Sequence, residues 1–317
     1  RLRCLPYVYL VGVTKSGTTD LVRFLVRHPD LHQAGNKEPN WWNRDRFTST
    51  STLLCHPGAQ NPFNDYLNMF DYPAEQIDNR FIKQGDIHWH PGITIDGSSF
   101  LLWKDDYWTS IPGNQGLSEP KFLSAHAIRA VQPDASIVAT LRNPTDRLFS
   151  QFSMTSFHTK TGLNVSHFHR VVSAAIDAFE KCVSMKAMKA CVYEPQPSIA
   201  DTKQISLVGS IYSVYLEDWL QVFPKNQIFV LRAEDYFRNR TSVLNQVYNF
   251  LGLGECYLIT DAAFGITLAS DLEPTFQRAS STAMFPKTRR ILDNFFAPFN
   301  QKLVKLLRDH RFLWRKF

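Results

Sequence analysis

The sequence predicts one α/β domain over residues 1–317: a parallel β-sheet flanked by helices, interrupted by long loop insertions. Three observations carry this reading. An apolar, β-rich run, Tyr7-Val8-Tyr9-Leu10-Val11-Gly12-Val13, feeds a polar turn and then an amphipathic helix, as buried parallel strands do. Strand-like and helical stretches alternate along the rest of the chain. With 317 residues, 44% hydrophobic and 20% charged, the chain can bury an ordinary core, which excludes disorder, collagen-like repeats and a small disulfide scaffold.

The elements follow in order. After the first strand and a turn at Gly17, Leu21, Val22, Phe24, Leu25 and Val26 have helical spacing over Thr18–His28, and Pro29 ends the helix. Further strands are expected at 81–85, 135–141 and 227–231. Helices are expected at 119–132, 144–157, 167–190, 204–222 and 241–251, and a basic helical segment bent at Pro298 at 287–309. Residues 39–80 and 255–285 read as irregular insertions, long enough to act as walls or lids of a site.

Thirty-five Lys and Arg against 29 Asp and Glu give +6, which suits an acidic partner: nucleic acid, an anionic polysaccharide or a phosphorylated small molecule. No apolar run reaches the length of a membrane span. The chain opens at Arg1 without an initiator Met, so a signal or membrane anchor is expected upstream of it. Five cysteines show no metal-ligand spacing, and no metal site is expected. Cys182 and Cys191 are spaced either for a small disulfide loop or as two buried thiols. Two glycosylation sequons begin at Asn164 and Asn239, and with the cysteines they lean towards a secretory lumen.

Chemistry concentrates at two places. Gly12-Val13-Thr14-Lys15-Ser16-Gly17-Thr18-Thr19 joins a buried strand to a helix, so backbone N–H groups and the positive helix end face one point. It approximates a Walker A loop, but Thr18 stands where that pattern has lysine, which argues against a nucleotide kinase. Later, Leu141-Arg142-Asn143-Pro144-Thr145-Asp146-Arg147-Leu148-Phe149-Ser150 puts Arg142 at the carboxyl end of a strand and Ser150 two helical turns on, a second anion clamp.

Lys-Ser-Gly-Thr-Thr followed by Arg-Asn-Pro-x-x-Arg-x-x-Ser resembles the sulfotransferases that use 3′-phosphoadenosine 5′-phosphosulfate (PAPS) and release PAP. The resemblance implies a P-loop-NTPase-like sulfotransferase fold. It implies that Lys15, Ser16, Gly17, Thr18 and Thr19 hold the 5′-phosphosulfate, and that Arg142 and Ser150 hold the 3′-phosphate. Lys37-Glu38-Pro39-Asn40-Trp41-Trp42 is similar to the Golgi carbohydrate branch. Ala190–Tyr193, Gly209–Leu220 and Phe296–Asn300 look most like the N-acetylgalactosamine 4-sulfate 6-O-sulfotransferases of chondroitin and dermatan sulfate, in similarity running from Tyr9 to Trp314.

This resemblance implies Glu38 as general base, Lys15 as electrostatic catalyst, and Lys287 and Arg289 in a loop that closes over the nucleotide before the last helix. No metal is required, because protein cations can supply the charge. In the family a small, Ser/Thr-rich stretch generally follows an acidic residue at a strand end facing the cleft; Gly85-Asp86-Ile87-His88-Trp89-His90 is read at that place and departs from the pattern, with two histidines and a tryptophan instead. His88, Trp89 and His90 are thus expected at a strand end facing the cleft, where they bind acceptor sugar, with Arg44, Arg46 and Arg147 meeting its sulfates or carboxylates. The expected partner is a sulfated glycosaminoglycan rather than nucleic acid, and the expected place is the Golgi lumen, behind an anchor outside this chain, or outside the cell after cleavage. A heparan-type or other glycan acceptor and an inactive glycan-binding homologue are the alternatives.

Overall fold

The computed structural model describes residues 3–48, 62–194, 205–253 and 283–314. A five-stranded, wholly parallel sheet in the order β2-β5-β1-β6-β7 forms its centre. β1 (Val8–Gly12) is buried along its whole length, as is β6 (Ser136–Leu141). β7 is Ile228–Arg232, and all three match their expected places. β2 (Leu31–Gln33) and β5 (Ile93–Asp96) were not expected.

The run expected as a sheet strand at 81–85 is instead half of a separate antiparallel hairpin, β3 (Ile82–Gln84) with β4 (Ile87–Trp89), outside the main sheet. Apolar cores lie on both faces of the sheet, one beneath α1 (Thr18–Leu25) and α10 (Arg240–Phe250), the other beneath α5 (Pro144–His158), α6 (Val165–Val183), α8 (Tyr212–Val222) and α11 (Pro286–Leu307).

Several helices are shorter than expected, each for a local reason. α4 (Ser124–Val131) begins only at Ser124, because the Asn114 side-chain oxygen accepts from the N–H groups of Lys121 and Phe122 and holds them in a turn. The stretch at 167–190 divides between α6 and α7 (Met188–Tyr193), and the Cys182–Cys191 disulfide joins the two. α8 starts at Tyr212, since Gly209 and Ser210 form a tight turn against Trp103. α11 continues through Pro298.

The first insertion is partly built: Trp41 and Trp42 pack against Tyr66 of α2 (Phe63–Asn68), and α3 is Asp71–Asp78. Residues 49–61 and 254–282, which hold most of the expected lid segments along with Cys55 and Cys256, lie outside the described residues. Asn164 and Asn239 each cap a helix, accepting from the N–H of His167 and of Ser242, so both sequon asparagines have a structural duty.

Candidate active site

β1 sends its chain through α1 towards β2, whereas β6 sends its chain towards β7, so a crevice opens between their carboxyl ends. Both predicted anion loops meet there. The Arg142 guanidinium donates to the Lys15 carbonyl at 3.2 Å, and the Thr140 hydroxyl donates to the Ser16 carbonyl at 3.0 Å. The Tyr212 hydroxyl in turn holds the Arg142 carbonyl at 2.9 Å.

The first loop is tightly determined. Gly17 caps α1 at φ 84°, a conformation that favours glycine, and a Cβ there would also press on the tip of the exposed Phe237 ring of α9 (Ala233–Arg238). Lys15 also has positive φ, 71°, a conformation that costs a side-chain-bearing residue about 1–2 kcal/mol and tends to persist where function needs it. Its ammonium lies 3.3 Å from the Met154 sulfur on α5. The Ser16 hydroxyl is buried with no hydrogen-bond partner among the described residues, while Thr18 is buried in the first helical turn. An orphan hydroxyl at the positive end of a helix fits the oxygens of a phosphosulfate.

Glu38 sits beside this loop, after β2. Its Oε1 accepts from Lys37 Nζ at 2.5 Å and from the Ser99 hydroxyl at 2.9 Å; neither bond uses Oε2. Lys37 Nζ also reaches the Thr19 hydroxyl at 3.2 Å, tying the carboxylate to α1. Ser99 comes from the turn after β5, Asp96-Gly97-Ser98-Ser99. Asp96 is fully buried, accepts from the Tyr66 hydroxyl and the Ser98 N–H, and is pushed up from the usual carboxylate range by burial. The Ser98 hydroxyl accepts from the Asn40 N–H at 2.8 Å. A Cβ on Gly97 would meet the Lys37 carbonyl at 2.7 Å, and one on Gly12 would come within 3.2 Å of the Ser99 carbonyl, so glycines at both places let the turn, the donor loop and Glu38 close on one another.

Asp96-Gly97-Ser98-Ser99 has the pattern, an acidic residue followed by small and Ser residues, that the resemblance implies and that Gly85–His90 departs from, ten residues further along. The signal that would have found it is Asp-Gly-Ser-Ser directly after the short apolar run Ile93-Thr94-Ile95. His88, Trp89 and His90 do not face the crevice. They precede β5, at the opposite edge of the sheet: His90 Nδ1 bonds the carbonyls of Ile77 and Arg80, and Arg80 pairs with Asp30 at the start of β2. His88 stacks on Phe81 with 6.0 Å between ring centres.

Arg147, expected at a polymer surface, is 0% exposed. It donates to the Ser210 hydroxyl, the Ser206 carbonyl and Gln151, binding α5 to the 206–210 turn beneath the Arg142 loop. Arg44 is exposed and paired with Asp45, whereas Arg46 stacks over Trp41, Trp42 and Phe47. Ser150 lies half-buried on α5.

Lys287 and Arg289 stand in the first turn of α11 rather than in a loop before it. Arg289 pairs with Asp146 at 2.5 Å and, with Asn143, Arg232 and Trp314, lines a cavity of about 530 Å³ behind the second motif. Among the described residues no group of three or more His, Cys, Asp or Glu could hold a metal ion, and no helix is long and apolar enough to cross a membrane.

The sulfotransferase domain family matches residues 5–260 of this chain. The chain belongs to the sulfotransferase family. Human carbohydrate sulfotransferase 15 is 34% identical over 320 residues, covering 99% of this chain and 55% of the relative. The chain thus spans about half the length of the curated relatives that it matches across its whole extent. Bifunctional heparan sulfate N-deacetylase/N-sulfotransferase 1 of mouse is 24% identical over 248 residues, 78% of this chain and 22% of that protein. A sulfotransferase from Alicyclobacillus acidocaldarius superposes with TM-score 0.59 at 22% identity, covering 98% of this chain and all of that one, which shows the sulfotransferase fold.

Proposed function

We propose that this sulfotransferase domain moves a sulfonate from PAPS to a hydroxyl of chondroitin or dermatan sulfate, the 6-OH of N-acetylgalactosamine 4-sulfate, in the Golgi lumen. The observation that carries this reading is Glu38, held through Oε1 beside an anion-binding loop with Oε2 left for an acceptor. The 34% identity to a protein named carbohydrate sulfotransferase 15 supports a sugar acceptor.

PAPS supplies the sulfonate group; the protein supplies position and charge. The acceptor oxygen attacks sulfur as its proton passes to Glu38 Oε2, and the bond from sulfur to the phosphate oxygen breaks with its electron pair leaving on PAP. The loop N–H groups, Ser16, Thr18 and the Lys15 ammonium stabilise the charge that develops on that phosphate. Arg142 and Ser150 take the 3′-phosphate, a fork and a hydroxyl fixed by α5 and by the bond from Arg142 to Lys15. Lys287 and Arg289 lie near that end of the donor, where Arg289 already holds Asp146.

The test is incubation with ³⁵S-labelled PAPS and a panel of desulfated and sulfated chondroitin, dermatan and heparan chains, followed by disaccharide analysis. Label at the 6-position of 4-sulfated N-acetylgalactosamine is expected. Label only on heparan overturns the acceptor, and label on no glycan overturns the glycan reading altogether.

A further inference from the structure

Lys37 is the cation that spans the site. Its Nζ lies 2.5 Å from Glu38 Oε1 and 3.2 Å from the Thr19 hydroxyl, so one ammonium touches both the base and the donor loop. The segment that carries it is fixed. The Lys37 carbonyl accepts from the Gly97 N–H at 3.2 Å, and the side-chain stem runs along Gly97, where a Cβ would come within 3.5 Å of Lys37 Cγ. The Asn36 side chain bonds both the N–H and the carbonyl of Glu38, and the Asn40 side chain bonds that carbonyl again. Lys37 and Glu38 are both half-buried. Base and ammonium are thus held together in advance, with little freedom to lose on binding.

An ammonium carries three N–H donors. Glu38 and Thr19 take two of them, and among the described residues the third has no partner. Because the Thr19 oxygen accepts from Lys37, the Thr19 proton is left to donate towards the donor. Lys15 covers the other flank of the loop: its ammonium lies 3.3 Å from the Met154 sulfur on α5, on the side of Arg142. During transfer the sulfonate has to lie between the leaving phosphate on the loop and the acceptor oxygen at Glu38, and that is the gap Lys37 spans. The charges favour a contact there. Once Oε2 has taken the acceptor's proton the Glu38 carboxyl is neutral, and the sulfonate beside it keeps its negative oxygens.

We propose that Lys37 is a further catalytic residue, the second cation of the transfer: it holds Glu38 Oε1 and gives its remaining N–H to an oxygen of the sulfonate as that group passes from phosphate to acceptor. Lys15 then serves the leaving phosphate and Lys37 the group in flight. This rests on the reading of PAPS as donor and Glu38 as base given above, and not on which glycan accepts.

The experiment measures kcat with ³⁵S-labelled PAPS, and the affinities for PAPS and for PAP without acceptor, in wild type, Lys37→Met, Glu38→Gln and the double variant. Lys37→Gln is a second replacement should Lys37→Met fail to fold. Lys37→Met is expected to lower kcat about 100-fold, the scale for removing one donor from a site of developing charge. It should weaken PAPS binding about five- to tenfold, the effect of one lost charge-assisted contact, and leave PAP, which has no sulfonate, within about twofold. In the Glu38→Gln background it should still cost about tenfold or more, because the sulfonate contact does not act through the base. A PAPS-to-PAP affinity ratio equal to that of wild type overturns the proposal. So does loss of the Lys37→Met effect in the Glu38→Gln background, since a residue that only positions Glu38 behaves in that way. Wild type that binds neither PAPS nor PAP overturns the donor reading instead, and turnover near wild type in Glu38→Gln overturns the base; either takes the role of Lys37 with it.

Discussion

β5 is only four residues long, yet the polar side chains at its two ends live in opposite circumstances. After its carboxyl end, Asp96, Ser98 and Ser99 are buried and committed to Tyr66, Asn40 and Glu38. Before its amino end, His88, Trp89 and His90 stand on an exposed hairpin whose contacts are with α3, the turn after it and the neighbouring ring of Phe81. The sheet is the reason. Parallel strands deliver all their carboxyl ends, and the helix amino ends that follow them, to one edge, so that edge collects N–H donors and focuses charge while the other edge does not. A polar residue there can be fixed by several elements at once; on a two-stranded hairpin it has few neighbours to fix it.

The sharpest way to break this contrast is to remove the proton acceptor at the active edge. Glu38→Gln preserves shape and keeps an oxygen for Ser99 and Lys37. Turnover should fall at least ~100-fold with the KM for PAPS within about twofold, read from steady-state rates with both substrates varied. Turnover near wild type would take Glu38 out of the proton transfer and leave the carboxyl end of β5 a purely structural junction.

A smaller effect tests whether that edge works through positioning. Ser99→Ala removes one neutral donor to Glu38 Oε1 and leaves the salt bridge with Lys37. A net hydrogen bond of about 1 kcal/mol predicts a kcat lowered roughly five- to tenfold. Because Ser99 acts through Glu38, Ser99→Thr should restore most of the rate, and Ser99→Ala should add little in the Glu38→Gln background. Full additivity of the two would mean that Ser99 serves the fold alone.

The half of the site on β1 and β6 was legible in the sequence because both strands are buried on both faces and read as unbroken apolar runs, each followed by a glycine- or proline-marked turn. β2 and β5 were not legible: three and four residues long, they show no period, and β5 alternates Ile93, Thr94, Ile95, Asp96 too briefly to separate from loop. With β5 unread, Asp96-Gly97-Ser98-Ser99 went unnoticed and the candidate acceptor segment was placed ten residues upstream, on the hairpin. Arg147 was misread for a different cause. Charge implies a surface only until partners are known, and its partners, Ser206 and Ser210, lie some 60 residues away in the chain. The Cys182–Cys191 pairing needed the break between α6 and α7, which no local pattern announced.

The smallest expected effect belongs to the amino edge, and it is the one that separates the two ends of β5 most cleanly. Replacing His88 and Trp89 together by Ala removes an exposed ring stacked on Phe81 and an indole that is 39% exposed. Neither bonds to the donor loop, Glu38 or Ser99 among the hydrogen bonds of the described residues, and the hairpin pairs only with itself. The kcat and the KM for PAPS should therefore both stay within about twofold of wild type, and the unfolding free energy should change by no more than a surface substitution does, roughly 0.5 kcal/mol. His90 is kept, because its ring nitrogen bridges the Ile77 and Arg80 carbonyls and its loss would blur the reading with a packing defect. A drop in kcat comparable to that of Ser99→Ala would mean that the hairpin reaches the acceptor after all, and that both ends of β5 serve one cleft. An unchanged kcat with a raised KM for polymer alone would instead make the hairpin a distant contact for long chains, and the division between a chemical edge and a supporting edge would stand.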